Sequence, residues 1–315
     1  MDNLLAWVGG KAALFPFIEG KFPAHDGYVD VFTGGLNMTL NKRLSKYNII
    51  NDINGNIANV YKCVANPVAS KIMQELCDYP YSRELHEYFR EIYNNATYWQ
   101  QYTQAERAIM YIYLNRTSFN GKMQSYSPSE KGGLWYEMRR IIKEISRKFN
   151  EGSFVIENMH FRDLILGKER DGKVLSKGYD RDKFLLYLDP PYWITATSSG
   201  SDYYEKVMDV EEHIELRDIL VSKVKKAKWI LSYDDVPKIR SLYGIKQDVF
   251  THTDSLPMEV SKQGKIWAIL TPPKLQSAGT RANNAVGNEQ TVKSELLIAN
   301  YPLMNANTLF DEHNH

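Results

Sequence analysis

The sequence predicts an α/β fold in which a Rossmann-like sheet is interrupted by a mainly helical block. A short apolar strand at residues 28–32 runs into the glycine pair Gly34-Gly35 and then into a helix-compatible segment. A second apolar strand ends at Asp52, at about the 20-residue spacing that separates glycines from an acid in nucleotide-binding βαβ units. A third strand, 185–188, is apolar and aromatic throughout and stops before two prolines. These segments define the predicted sheet.

Composition limits the classes of function. With 315 residues the chain has room for one large domain or two modest ones. A formal net charge of +1 means that nucleic-acid binding needs a local basic surface. Cys63 and Cys77 are too few for a disulfide framework or a cysteine-ligated zinc site, so we expect no metal and a reducing cytoplasm. We expect no signal peptide and no membrane span, because no window approaches about 18 apolar residues.

Two glycine-bearing segments lie near the start of the chain. Gly9-Gly10-Lys11 indicates a backbone that approaches a ligand closely, and it also fits a plain glycine turn that opens a helix. After the strand 28–32, Gly34-Gly35 leads into the helix-compatible segment 38–43, which is how a nucleotide-binding βαβ unit begins. In such folds the acid that ends the second strand, here Asp52, hydrogen-bonds a ribose hydroxyl.

Residues 57–151 have helical apolar spacing. We predict a helical domain there, inserted between the parts 1–56 and 152–315 of the sheet domain. Within it a helix ends in a polar loop with an aromatic residue, an Asn-Gly turn and flanking cations. Such a mixture matches a nucleic-acid contact surface, and it also fits an ordinary solvated loop. The candidate contacts are Arg116, Ser118, Phe119, Asn120, Gly121, Lys122 and Gln124.

The strand pattern returns after the helical block, beginning with a strand at 153–158. The charged, glycine-punctuated segment 167–183 is predicted to be a surface loop. Residues 210–226 are predicted to form an amphipathic helix with Ile214 and Leu216 on its inward face. Further strands are predicted at 229–233, 266–270 and 295–301. Residues 194–206 are predicted to form a loop that closes over the site, and residues 276–291 a mobile polar segment.

The strand 185–188 ends at the motif Asp189-Pro190-Pro191-Tyr192. Because proline fixes φ and removes an N–H, the chain leaves the sheet there, with a carboxylate, the Pro190 carbonyl and an aromatic face. Ligands of open α/β sheets bind at that edge. The exocyclic amino group of a nucleobase fits this arrangement, since Asp189 and the Pro190 carbonyl can accept its two hydrogens while the ring of the base stacks on Tyr192. A common Asp-Pro turn is the alternative that the tetrapeptide alone leaves open.

Four segments occur together in one order: 7–11, 30–35, 51–54 and 188–192. In this combination the chain resembles the Dam-type DNA adenine-N6 methyltransferases (D12 class, α subgroup) over residues 4–301, and Leu114–Gly121 resembles their DNA-binding loop. The resemblance implies a site-specific enzyme that moves a methyl group from S-adenosylmethionine to N6 of an adenine flipped out of duplex DNA. We also expect a metal-free reaction and a monomer in the cytoplasm of a bacterial cell or a phage-infected host.

The resemblance further implies roles for individual residues. Asp189, Pro190, Pro191 and Tyr192 would bind the target base and aim the lone pair of its amino nitrogen at the methyl group. Phe119 and Asn120 would probe the duplex beside the extruded base. S-adenosylmethionine would be held by Trp7, Gly10, Lys11, Phe32, Gly34, Gly35, Asp52, Ile53, Glu157, Asn158 and Asp189.

Three positions depart from the family pattern. Leu36 stands where the second glycine of Phe-x-Gly-x-Gly is expected, and His160 stands where an aspartate often precedes Phe161. Gln124 stands where relatives that read GATC usually carry an arginine. Because arginine is the side chain that binds guanine bidentately, the sequence does not predict GATC as the recognition site.

Other functions fit parts of the pattern. N4-cytosine and RNA amino-methyltransferases use a similar tetrapeptide, and nucleoside analysis of the product distinguishes them. Cytosine-C5 methylation is disfavoured, because neither cysteine lies in a Pro-Cys motif. A catalytically weak DNA-binding relative, acting as a regulator or decoy, fits the departure at Leu36. A small-molecule methyltransferase would have no use for the loop at Phe119 and Asn120.

Overall fold

A computed structural model describes residues 1–7, 11–128, 133–170, 173–193, 208–245, 258–259, 266–272, 274–275 and 292–303. Gly10, the predicted closing loop at 194–206 and the polar segment at 276–291 lie outside the described residues. The chain divides into two compact units. Of the described residues, the first unit holds 1–7 and those between 33 and 159, and the second unit holds 11–32 and those from 160 onward.

Strands and helices alternate toward both ends of the chain, whereas helices fill its middle. The helices are α1 (Phe15–Glu19), α2 (Asn37–Asn41), α3 (Gly55–Ala65), α4 (Pro67–Glu75), α5 (Arg83–Asn94), α6 (Ala96–Trp99), α7 (Gln104–Arg116), α8 (Met138–Glu151), α9 (Phe161–Leu166), α10 (Val210–Asp218) and α11 (Pro237–Leu242). The strands are β1 (Gly27–Asp30), β2 (Tyr47–Asn51), β3 (Phe154–Glu157), β4 (Gly167–Arg170), β5 (Lys173–Lys177), β6 (Phe184–Leu188), β7 (Lys228–Asp234), β8 (Met258–Glu259), β9 (Trp267–Leu270), β10 (Lys274–Leu275), β11 (Val292–Lys293) and β12 (Glu295–Ala299).

The first unit joins a parallel strand pair to the helical block. β2 and β3 pair from Asn48 opposite Phe154 to Asn51 opposite Glu157. Side chains from α3 to α8 form one apolar core, to which α2 and β2 also contribute. The helical character predicted for the middle of the chain is therefore present, while the domain boundaries at residues 57 and 151 stay a prediction.

Side-chain caps fix the starts of the helices in this unit. Asn54 accepts a hydrogen bond from the backbone at the start of α3, and Asn66 does the same for α4. Thr103 and Glu106 form a capping box at α7, in which each side chain bonds the backbone of the other residue. Each cap satisfies amide groups that the helix itself leaves without partners.

The second unit contains a sheet with the strand order β1-β6-β7-β12-β9-β8. β1, β6 and β7 are parallel, whereas β12 lies antiparallel between β7 and β9. Every residue of β6 is buried, which explains why this strand reads as a continuous apolar and aromatic run. Because β6 has a neighbour on each side and ends at Leu188, Asp189 stands at the carboxyl end of an interior strand, as predicted.

The segment predicted as a surface loop, 167–183, contains a β-hairpin, so that prediction is wrong. β4 and β5 pair antiparallel within it. Val174 and Leu175 are both exposed, and β5 has no buried residue. A strand without a buried face lacks the period-two burial pattern by which strands are recognised in sequence. The hairpin was therefore not visible from periodicity.

The predicted helix at 210–226 ends early, and one of its inward residues is misplaced. α10 ends at Asp218 and is followed by a π-helical turn at Ile219–Lys223. Ile214 is exposed rather than inward. Residues two positions apart in a helix are rotated by about 200° around its axis, so when Leu216 faces the core, Ile214 faces the opposite side. His213 takes the buried position, since residues three apart share a face.

These elements confirm the predicted α/β, Rossmann-like fold with mainly helical inserted structure. None of the described helices is long and apolar enough to cross a membrane. Within the described part of the chain, no group of three or more His, Cys, Asp and Glu side chains is arranged to hold a metal ion. The expectation of a metal-free reaction stays a prediction.

Candidate active site

In the second unit, a buried lysine binds the carboxylate that follows β6. Lys11 Nζ lies 2.8 Å from Asp189 Oδ1 and 3.2 Å from Glu295 Oε2. It also donates a hydrogen bond to the Tyr192 hydroxyl and lies 4.8 Å from the centre of the Tyr192 ring. The structure thus brings together three predicted site residues, Lys11, Asp189 and Tyr192, and adds Glu295 to them.

Lys11 is charged in this cluster. Its side chain is 2% exposed, and burial by itself would lower its pKa. The negative charges of Asp189 and Glu295 outweigh burial and raise the pKa of Lys11 above its usual value of 10.5. One cation between two carboxylates leaves the cluster with a net negative charge, which favours a cationic ligand.

Glu295 is not among the predicted site residues, and the sequence indicates it only as part of a strand. Its side chain is buried at the start of β12, where Oε2 accepts a hydrogen bond from Ser232 Oγ at 2.8 Å. Its backbone N–H donates to Thr271 Oγ1 at 2.9 Å. A carboxylate at the head of an otherwise apolar strand is the signal that points to it, because acids are rarely buried without a partner.

The remainder of the Asp189 motif is partly enclosed. Pro190 is buried, while Pro191 and Tyr192 are half-buried. The Tyr192 ring lies 6.4 Å from the ring of Tyr233 in β7, whose hydroxyl is 2.6 Å from His213 Nδ1. Burial lowers the pKa of His213 to about 4, so this imidazole is neutral at neutral pH. The tyrosine that neighbours the Tyr192 ring is thus in contact with an uncharged imidazole.

In the first unit, the indole of Trp7 covers the glycine pair. A Cβ at Gly34 would lie 2.6 Å from Trp7 Cε2, and one at Gly35 would lie 2.8 Å from Trp7 Cβ. Gly34 N donates to Asp52 Oδ2 at 2.9 Å, and the Gly34 carbonyl accepts from Tyr61 OH at 2.6 Å. The acid and the glycine turn are thus joined directly, in keeping with the predicted βαβ unit.

Hydrogen bonds also fix the backbone that follows β2. Asp52 Oδ1 accepts from Asn54 N at 2.8 Å. Asn158 Nδ2 donates to the carbonyls of Asp52 at 2.7 Å and Ile53 at 3.0 Å. Ile53 is exposed and Glu157, at the end of β3, is half-buried. The structure places these predicted cofactor residues at the carboxyl ends of β2 and β3.

Leu36 keeps the backbone conformation that a glycine adopts easily. Its φ of 63° and ψ of 17° lie in the left-handed region, which disfavours a side chain by about 1–2 kcal/mol. The leucine side chain is fully buried in the core of the first unit. Burying a leucine contributes about 1.5–3 kcal/mol, enough to offset that strain. Leucine in place of the expected glycine at position 36 therefore changes the side chain, while the backbone keeps a left-handed conformation that suits glycine.

Phe32 and His160 belong to the second unit. The Phe32 ring is half-buried, 5.9 Å from the ring of Phe161. His160 caps α9, since its Nδ1 accepts from Arg162 N at 3.3 Å, and its Nε2 lies 3.2 Å from Glu212 Oε1. Aspartate is also a good helix N-cap, so His160 has the capping role that an aspartate at this position could have.

The candidate DNA-binding loop follows α7 in the first unit, and two of its predicted contacts are engaged within the protein. Arg116 Nε donates to Leu4 O at 2.8 Å and Nη2 donates to Asn3 O. Burial lowers the pKa of Arg116 to about 10. Ser118 is buried, and its Oγ donates to Asn115 O at 3.1 Å. A DNA contact by either residue stays a prediction.

The other predicted contacts lie at the tip of this loop. Phe119 is 48% exposed and Gln124 is exposed, whereas Asn120, Gly121 and Lys122 are half-buried. Asn120 adopts a left-handed φ of 54°, which asparagine tolerates better than most residues. A Cβ at Gly121 would lie 2.4 Å from a backbone carbonyl oxygen of the N-terminal segment, so this turn requires glycine.

Comparison with known proteins decides the family. Residues 7–251 match the family described as D12 class N6 adenine-specific DNA methyltransferase. The chain belongs to this family. The predicted resemblance is therefore confirmed, and this D12 class methyltransferase is an enzyme that performs site-specific methylation of adenine in DNA.

Relatives of this D12 class methyltransferase come from bacteria, archaea and viruses. A DNA adenine methylase of Serratia marcescens is 25% identical over 258 residues, covering 76% of this chain and 86% of that protein. The Type II methyltransferase M.MjaIII of Methanocaldococcus jannaschii is 27% identical over 236 residues, or 67% and 76% of the two chains. The Type II methyltransferase M.CviBI of Paramecium bursaria Chlorella virus NC1A is 23% identical over 264 residues, or 81% and 89%.

Proposed function

We propose that this D12 class methyltransferase transfers the methyl group of S-adenosylmethionine to N6 of an adenine flipped out of duplex DNA. The observation that carries the proposal is the cluster of Lys11, Asp189 and Tyr192 after β6. It combines a carboxylate acceptor, an aromatic face and a net negative charge. These are the groups that a planar aromatic amine and a cationic methyl donor require.

The protein groups act on the amino group of the adenine. Asp189 and the Pro190 carbonyl accept its two hydrogens, which favours a pyramidal nitrogen whose lone pair is no longer delocalised into the ring. Tyr192 stacks on the extruded base. Lys11 forms an ion pair with Asp189 at 2.8 Å, which fixes the position of that carboxylate.

The residues present also fit S-adenosylmethionine, which supplies an electrophilic methyl group on a sulfonium when bound. The turn beneath Trp7 requires glycine at both positions, since a Cβ at Gly34 would lie 2.6 Å from the indole and one at Gly35 would lie 2.8 Å from Trp7 Cβ. Asp52 is a carboxylate that accepts backbone hydrogen bonds from Gly34 N and Asn54 N, and carboxylate oxygens are the acceptors that ribose hydroxyls require. The exposed apolar side chain of Ile53 offers a surface to an adenine ring.

Methyl transfer from labelled S-adenosylmethionine to unmethylated duplex DNA, followed by digestion to nucleosides, tests the proposed function. The expected product is N6-methyladenine. Label in N4-methylcytosine, or in RNA alone, would contradict the proposal and support the corresponding amino-methyltransferase. Tight DNA binding without any transfer would support the catalytically weak relative.

Replacing Phe119 with alanine is expected to weaken binding to duplex DNA by about 1–3 kcal/mol, because an exposed aromatic side chain stacks on the bases that are unstacked beside the extruded adenine. Fluorescence anisotropy at fixed salt concentration measures the dissociation constant. Tyr47→Ala is a matched control, since Tyr47 is 43% exposed in the same unit and lies outside the loop. Equal affinities of Phe119→Ala and wild type would contradict a role of this loop in DNA binding.

A further inference from the structure

A cleft in the first unit lies between the first turns of α3 and the segment that leads from α6 into α7. Its volume is about 640 Å³, within the range of about 300–1,000 Å³ that is typical of small-molecule sites. Of the eleven described residues that line it, six carry side-chain amides, two are the cations Lys62 and Arg107, and none is acidic. The lining therefore favours an anionic ligand.

This cleft adjoins the proposed cofactor residues but differs from them in chemistry. Asn158 lines the cleft, and its Nδ2 donates to the backbone carbonyls of Asp52 and Ile53. The Asp52 carboxylate, which suits ribose hydroxyls, is not among the described lining residues. S-adenosylmethionine is cationic, so the two lining cations repel it. A different ligand is required here.

The positive charge of Arg107 is not neutralised by the described part of the chain. Its Nη1 donates to Gln100 Oε1 at 2.9 Å, which is a neutral partner, and its Nε is buried with no partner among the described residues. The neighbouring thiol of Cys63 is also neutral at neutral pH, because burial raises its pKa to about 11. Enclosing a charge without a counter-ion is costly, so an anion beside Arg107 would be stabilising.

Lys62 supplies the second charge of the cleft from the last turn of α3. Its side chain is exposed, and it forms no ion pair with a carboxylate of the described residues. Asn59, three residues earlier on the same helix, donates from Nδ2 to the Gln104 carbonyl at 2.9 Å. This bond ties α3 to the start of α7, the helix that carries Arg107. The two cations therefore lie on walls that are joined directly.

The groups that remain available in this lining are donors. Because Gln100 Oε1 accepts from Arg107, the amide of Gln100 keeps its Nε2 hydrogens for a ligand. The ammonium of Lys62 and the rest of the Arg107 guanidinium add charged donors. Charged N–H groups form their strongest hydrogen bonds with phosphate and carboxylate oxygens, and a guanidinium can bind two phosphate oxygens at once.

We propose that this cleft binds a small anion that carries a chain of phosphate groups, with Lys62 and Arg107 as its charged partners. A chain of phosphates offers several oxygens to two separate cations, whereas a single carboxylate offers two. The ligand is either a free phosphate chain or the phosphate part of a nucleotide. Binding here requires neither DNA nor S-adenosylmethionine, so the proposal does not rest on the proposed function.

Isothermal titration calorimetry of the full chain with pyrophosphate tests the site. Wild type is expected to bind pyrophosphate saturably. Lys62→Glu should weaken this binding about 10- to 100-fold, the size of one hydrogen bond between charged groups, and it reverses an exposed charge, so the fold should be unaffected. Arg107→Gln should weaken binding to a similar extent, with circular dichroism as the check on its folding.

Lys71→Glu is the matched control, because it makes the same change of charge at an exposed lysine of the same unit that does not line the cleft. It should bind pyrophosphate as tightly as wild type. Equal affinities of Lys62→Glu and Lys71→Glu, or no saturable binding of pyrophosphate and of cytidine triphosphate by wild type, would overturn the proposal.

Titration with cytidine triphosphate identifies the source of the phosphate groups. Tighter binding than that of pyrophosphate indicates a nucleotide, and binding that is no tighter indicates a free phosphate chain. If Lys62→Glu weakens binding to duplex DNA but leaves pyrophosphate binding unchanged, the cleft contacts the DNA backbone and the proposal is overturned. None of these readouts depends on methyl transfer, so this site and the proposed function fail separately.

Discussion

Asp189→Ala is expected to lower the rate of methyl transfer to adenine by about 10²- to 10³-fold or more. The carboxylate accepts a hydrogen of the amino group in the proposed reaction, and losing one preorganised electrostatic partner of a reacting group has an effect of this size. Single-turnover methyl transfer with saturating DNA and S-adenosylmethionine measures the chemical step. The loss should appear in this rate rather than in DNA affinity, because the candidate DNA-binding loop is unchanged.

Asp182→Ala provides the matched control, because Asp182 is an exposed carboxylate just before β6. It should transfer methyl groups at the wild-type rate. Circular dichroism and DNA binding of Asp189→Ala should resemble those of wild type, which separates lost chemistry from lost folding. A single-turnover rate within about threefold of wild type would remove Asp189 from the proposed mechanism.

Lys11→Met is expected to lower the free energy of unfolding by about 3 kcal/mol or more at neutral pH. The substitution leaves Asp189 and Glu295 facing each other without the cation that lies 2.8 Å and 3.2 Å from them. Removing one partner of a buried ion pair is costly because the remaining charge stays desolvated. Urea unfolding followed by circular dichroism measures the difference.

The pH dependence of this difference follows from the same charges. The pKa of Lys11 is raised in the folded protein, so its contribution is fully present below pH 10.5 and is lost as the pH rises through the higher folded-state value. In Lys11→Met, acidification toward about pH 4 protonates carboxylates, and the deficit relative to wild type should shrink. A deficit that is constant between pH 7 and about 4 would contradict the electrostatic cause.

Lys21→Met is the control for the loss of a buried lysine. Lys21 is also buried in the second unit, but burial lowers its pKa, so removing its charge should cost less than removing that of Lys11. Equal losses of stability in the two variants would show that the side-chain stem, rather than the charge, is responsible.

Much of the site was predictable from local sequence, and the failures have physical causes. The glycine pair, Asp52 and the Asp189 motif lie at the ends of strands, and strand ends are visible because prolines, glycines and acids interrupt apolar runs. The hairpin of β4 and β5 is not visible in the sequence because β5 has no buried residue and so lacks the period-two pattern of a half-buried strand. Local sequence also does not reveal that the Arg116 side chain hydrogen-bonds the backbone carbonyl of Leu4, and a DNA contact by Arg116 stays a prediction.

The sequence by itself determined the α/β fold, the helical block and the strand-end motifs, because each depends on side chains that are close together along the chain. Tertiary structure alone decided that Lys11 pairs with Asp189, 178 positions later, and that Glu295 shares this lysine. Packing also decided that Leu36 retains a left-handed backbone, since burial in the core offsets the strain. Contacts between distant segments depend on how elements pack, and no local pattern of residues records them.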